Sequence, residues 1–121
     1  METKYVYTLE KQGQIIYVSD WTQLKIREEA INRMNETAAY ILSLGKSNIL
    51  EIVDVTGSFA GSDLMYHVRK IADSTKHVSK KKAVVGLSGP RKLLLTTINH
   101  FLSTENYAFN TIDEAVEWLL K

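Results

Sequence analysis

Tyr5–Leu9 and Gln14–Ser19 are short runs rich in β-forming residues on either side of Lys11-Gln12-Gly13. That middle triplet has turn composition, so the two runs read as a hairpin. Leu24, Ile31, Met34, Ala38, Ile41 and Leu42 then recur at helical spacing. They predict a helix from about Leu24 to Leu44, closed by Gly45, with Asp20 or Thr22 as its cap. Ile49–Val55 is apolar on both faces apart from Glu51 and Asp54, the pattern of a central strand. Leu64, Val68, Ile71, Ala72 and Thr75 share one face of a second helix, and Ala83–Leu87 is a short apolar strand. Pro90 suits the first turn of a third helix, marked by Leu94, Ile98, Phe101 and Leu102. Tyr107–Phe109 is a brief strand. Thr111 and Glu114 form a capping box for the last helix, whose inner face is Ala115, Val116, Leu119 and Leu120.

The predicted order is ββαβαβαβα. Strands that alternate with helices of this length are parallel and joined by right-handed crossovers. The fold class is therefore α/β, an open, mostly parallel five-stranded sheet with an antiparallel N-terminal edge strand. The two-sided apolar strand requires cover on both faces. A chain of 121 residues suits one domain over its whole length, 1–121.

Composition narrows the function classes. There is no cysteine, so disulfides, thiolate catalysis and cysteine-held metals are excluded. His67, His77 and His100 are far apart, and no H-x-x-x-H or H-E-x-x-H spacing occurs, so no metal is expected. No G-x-S-x-G elbow, P-loop or G-x-G-x-x-G fingerprint appears, so no catalytic residue is assigned, no cofactor is expected, and an enzyme is the least favoured reading. Met1-Glu2-Thr3-Lys4 opens without a basic and then apolar leader, and no apolar run approaches bilayer length. A cytoplasmic location without stable membrane insertion is expected.

The net charge of +1 hides an asymmetry. From Arg69 to Lys92 there are eight basic residues against Asp73 alone, which gives +7 there and leaves −6 elsewhere. Such a window attracts anions. It also reads as a solvated surface, with Lys80, Lys81 and Lys82 beyond a helix C-terminus where positive charge is favourable. No aromatic residue interleaves with the basic ones to stack bases, so nucleic acid is not an expected partner.

In an open α/β sheet, sites gather where strands hand over to helices at their carboxyl ends. Asp54, Thr56, Ser58 and Ser62 lie at or beyond the end of the central strand, and Ser88, Gly89 and Arg91 follow its neighbour. These seven are the candidate partner- or ligand-binding residues. Each also has a purely local reading: Asp54 capping its own loop, Ser62 capping the next helix, the glycine turning the chain, Arg91 solvated. Trp21 follows the hairpin and is a candidate for a pocket rim or a contact between copies. Tyr5, Tyr7 and Tyr17 are placed to pair across the hairpin, and an exposed aromatic edge there is a place for a homodimer to form.

Three stretches, LEIVDVTGSF (Leu50–Phe59), KKAVVGLSG (Lys81–Gly89) and FNTIDEAVEWLL (Phe109–Leu120), carry a resemblance. On these the chain resembles the STAS/CRAL-TRIO-like superfamily, which includes anti-sigma-factor antagonists and lipid-transfer domains, and is most similar to its small stand-alone bacterial members. The resemblance implies an open β/α superhelix and no enzyme activity. Antagonists carry a phosphorylatable serine, in an Asp-Ser-Ser-Gly-type motif, where the helix after the central strand begins. That motif is not present here; the corresponding stretch is Gly57–Asp63, in which Ser62 is nearest in position and Ser58 is the second candidate. The arginine that relatives carry after the third helix is also missing from Ser103–Asn106. The resemblance thus implies a regulatory module that binds a protein partner, or alternatively a carrier for a small apolar or anionic ligand.

Overall fold

The computed structural model describes residues 2–58, 62–87 and 106–121. A sheet of order β1-β2-β3-β4-β5 forms from Val6–Lys11, Gln14–Asp20, Ile49–Asp54, Ser79–Val85 and Asn106–Phe109. Only the β1–β2 pair is antiparallel; the other three are parallel. Helices α1 (Arg27–Ser43), α2 (Ser62–Thr75) and α3 (Ile112–Leu119) complete the described elements. The α/β class, the mixed sheet and its antiparallel edge strand agree with the expectation. The helix expected around Leu94–Leu102 lies outside the described residues.

The hairpin turns on Gln12 and Gly13, both at positive φ (53° and 74°). Two such residues make a type I′ turn, whose twist matches that of the flanking strands. Within β1–β2, Tyr7 lies opposite Val18 and Thr8 opposite Tyr17. The expected tyrosine pairing is therefore absent: Tyr17 is buried on one face and Tyr7 is exposed on the other.

Strand alternation divides the core in two. Ile16, Val18, Leu50, Ile52, Ala83 and Val85 point towards Ala115 and Leu119 of α3. On the opposite face Val53 packs with Trp21, Leu24, Ala30, Met34 and Leu64 under α1 and α2, and Tyr17, Ile41 and Ile49 continue that layer. Burying one large apolar side chain contributes about 1.5–3 kcal/mol. Trp21 belongs to this core and not to a rim, and its indole N–H donates to Thr37 Oγ1 at 2.8 Å. Leu42, expected on the inner face of α1, is exposed.

Two boundaries differ for physical reasons. α1 begins at Arg27, preceded by Ile26 without a side-chain cap, because residues 21–24 are tied to the loop after β3. Asp20 does not cap α1; it ends β2. β4 begins at Ser79, earlier than the apolar run, and takes in Lys80, Lys81 and Lys82. Lys82 is largely buried and lies 3.6 Å from Glu51, its cross-strand neighbour. It also donates to Thr75 Oγ1 (2.9 Å), while Ser79 donates to the Glu51 carboxylate. Part of the basic window is thus internal structure. The capping box forms as expected, with the Glu114 N–H donating to Thr111 Oγ1 at 3.2 Å. Among the described residues, no helix is long and apolar enough to cross a membrane.

Two predictions follow from this packing. Glu51→Ala leaves the Lys82 ammonium buried without its carboxylate and should destabilise the chain by about 3–5 kcal/mol, whereas Glu51→Leu with Lys82→Met should recover most of that loss; urea unfolding measures both. Between α1 and α2, His67 Nε2 donates to Asn35 Oδ1 at 2.9 Å. Burial, then Lys70, then Arg27, hold the His67 pKa below its ordinary value. The unfolded chain therefore binds this proton more readily. Stability from His67 is complete above pH ~6.5 and falls as pH drops towards its lower folded value. His67→Gln should flatten the fall of Tm as pH drops below about 6.5.

Candidate functional site

β2, β3 and β4 end side by side. Asp20 of β2 is the in-register neighbour of Asp54 of β3, and Asp54 is the neighbour of Val85 of β4. Each aspartate closes the same local turn. Asp20 Oδ1 accepts from the Thr22 N–H (2.9 Å) and hydroxyl (2.6 Å), and Asp54 Oδ1 accepts from the Thr56 N–H (3.0 Å) and hydroxyl (2.6 Å). The local reading of Asp54 is thus realised, and Asp20 with Thr22 repeats it one strand over. Such turns let the chain leave a strand without losing its backbone hydrogen bonds.

The two turns are laced together. Trp21 N–H donates to Asp54 O (2.9 Å), Gln23 N–H to Thr56 O (3.0 Å) and Val55 N–H to Val85 O (2.8 Å). The Ser58 hydroxyl donates to Trp21 O and accepts from Leu24 N–H at 2.8 Å, with 8% of the residue exposed. Gly86, at φ +91°, is pressed so closely on this loop that a Cβ there would sit 2.8 Å from Thr56 Cα. Only glycine suits both that angle and that approach.

Two further groups border the twin turns. Arg33 Nη1 donates to Asp20 O (2.8 Å) and lies 3.9 Å from Asp20 Oδ1, with its guanidinium 3.5 Å over the Tyr5 ring. The Tyr7 phenol, on the half-exposed hairpin, has its pKa raised, first by partial burial and then by the charges of Asp54 and Asp20. Asp20, Arg33 and Tyr7 were missed as site residues. The signal for Asp20 was available: Asp-Trp-Thr and Asp-Val-Thr are matching triplets after two apolar runs.

Of the expected residues, Asp54, Thr56 and Ser58 are brought together, and Ser62 opens α2. Ser88, Gly89 and Arg91 lie outside the described residues. Among the described residues no cluster of three or more metal-ligating side chains occurs.

The fold matches that of a solved structure, an uncharacterized DUF3478-family protein with a SpoIIAA-like fold from Shewanella loihica PV-4. The likeness covers 94% of this chain and 91% of that one, with a TM-score of 0.64 and 15% sequence identity. This chain has a SpoIIAA-like fold. At that identity the likeness concerns architecture alone. No protein-family model matches the chain, and no curated protein matches it.

Within this SpoIIAA-like fold the Ser58 hydroxyl fastens the β2–α1 loop to the β3–α2 loop. Ser58→Ala leaves Trp21 O and Leu24 N–H buried without their partner. It should cost about 1–3 kcal/mol, read as a lower denaturation midpoint with an unchanged slope.

Proposed function

We propose that this chain is a non-enzymatic regulatory module of the cytoplasm that captures a protein partner at the carboxyl end of its sheet. The contact surface comprises Asp54, Thr56 and the start of α2 at Ser62. Ser88, Gly89 and Arg91 extend it on the sequence reading. Phosphorylation of Ser62 switches capture, because a doubly charged phosphate at a helix start alters both the surface charge and the hydrogen bonding there. Ser58 is not part of the switch in this reading, since its hydroxyl already serves two buried backbone groups.

The observation that carries the reading is the lacing of the β2, β3 and β4 ends into one braced platform beside the start of α2. A braced surface loses little freedom on docking, which favours recognition of a folded partner. The resemblance to anti-sigma-factor antagonists supports the reading, since Ser62 is nearest in position to the serine that is phosphorylated in those proteins. The carrier alternative has less support, because Trp21, Leu24, Val53 and Leu64 fill the described layer beneath the platform with the chain's own side chains.

The test combines affinity capture with mass spectrometry of the purified chain, native and then denaturing. Wild-type chain should retain one protein in stoichiometric amount, and Ser62→Glu, with circular dichroism unchanged, should weaken that capture about tenfold or more. Capture unaffected by Ser62→Glu overturns the reading. So does a small molecule that copurifies in the native spectrum and leaves on denaturation.

A further inference from the structure

The outer side of α2 carries charge that the helix itself does not require. Ser62, Tyr66, Arg69 and Asp73 recur at steps of four, three and four, and Lys76 follows after three more. That spacing lines the helical positions along one face. Lys70 lies beside the row, with its ammonium 5.6 Å from the centre of the Tyr66 ring. Tyr66, Arg69, Lys70, Asp73 and Lys76 are all exposed, Tyr66 to 70%. Positive charge helps a helix in its last turn, yet the last turn of α2 has no basic residue. Arg69 and Lys70 stand in the middle, where the helix dipole contributes little. Asp73, the one carboxylate of the row, lies 2.9 Å from Lys76 Nζ. The start of α1 mixes both signs instead, with Arg27 beside Glu28 and Glu29.

We propose that this row is the docking face for an acidic segment of the captured protein, whose carboxylates meet Arg69 and Lys70 and whose apolar groups rest on Tyr66. The inference rests on the partner reading above and names the partner's chemistry. Three observations select that occupant. The row is positive by three cations, Arg69, Lys70 and Lys76, against Asp73, so an acidic surface complements it. It continues directly from Ser62, where the contact surface begins. The sign of the switch also agrees: a phosphate at the head of this row repels an acidic segment, whereas it would hold a basic one more tightly. Tyrosine and arginine are moreover the side chains that most often anchor protein interfaces. Nucleic acid fits less well, because Asp73 interrupts the row and Tyr66 alone supplies a ring, where single strands use successive stacking platforms. A membrane surface fits less well too, because the row offers no aliphatic side chains to bury among lipids.

Fluorescence polarisation of the full chain with a labelled glutamate–alanine peptide as long as α2 tests this, beside an oligothymidylate of equal length and phosphatidylserine vesicles. The peptide should bind with a dissociation constant of about 100 μM at ~20 mM salt and about tenfold more weakly at ~150 mM. Arg69→Glu with Lys70→Glu, circular dichroism unchanged, should weaken it about tenfold or more. Lys11→Glu with Lys25→Glu alters net charge equally at other exposed positions and should leave binding within about twofold. An α2 reversal that does no more than this control overturns the proposal. So does tighter binding of the oligothymidylate or the vesicles through Arg69 and Lys70, which would make the face one for phosphate groups. The α2 reversal should weaken capture of the protein partner as well. Capture that responds to Ser62→Glu but not to the α2 reversal overturns this inference and leaves the partner reading standing. Capture lost with the α2 reversal but indifferent to Ser62→Glu supports this face and removes the switch.

Discussion

A carboxylate lies under two helices in this chain, and it is stable there only because an ammonium group faces it from the next strand in exact register. Glu51 is 3% exposed, and Lys82 is its Cα partner. Isolated, either charge would cost several kcal/mol to bury. Ser79 and Thr75 complete the hydrogen bonding, and Thr75 ends α2. One polar cluster thereby pins the β3–β4 register and the end of the helix that precedes β4. A slip of one residue would turn the apolar side chains of β4 to the wrong faces and orphan both charges. The same register sets Asp54 beside Val85, so that Gly86 arrives against Thr56. The layout of the site is in this sense fixed at the opposite end of the strands.

Much of the frame was legible in the sequence because it rests on periodicity. The two-sided apolar run of β3, the Met34, Ala38 and Ile41 stripe of α1 and the capping box of α3 each report on a local environment, and each formed, while Leu42 turned outwards. What escaped depends on pairs distant along the chain. Lys82 reads as part of a solvated basic run until β3 is set beside it. Trp21 is unconstrained by its sequence neighbours, and only Thr37, sixteen residues on, gives its indole N–H a buried acceptor. The start of α1 was misplaced for a similar reason: hydrogen bonds to the loop after β3 outweigh local helix propensity for residues 21–24.

The candidate site shows the same division. Strand ends and loop composition located it, and Asp54 and Thr56 were found there. The role of Ser58 could not be read, because the groups it serves lie 37 and 34 residues away. A hydroxyl in a loop looks alike whether it faces a partner or fastens two turns. Burial separates the two cases, and burial is set by the assembled sheet.

The strand order has a further consequence, for how the molecule is made. From β1 to β5 each strand lies beside the one before it. A chain emerging from the ribosome therefore never has to hold a place open for a strand still to come. Every β/α unit, once complete, finds a finished edge waiting. Contacts built in this order stay comparatively close along the chain, which lowers the entropy of closing each loop. The sheet can grow at the pace of synthesis, with one exposed growing edge at a time.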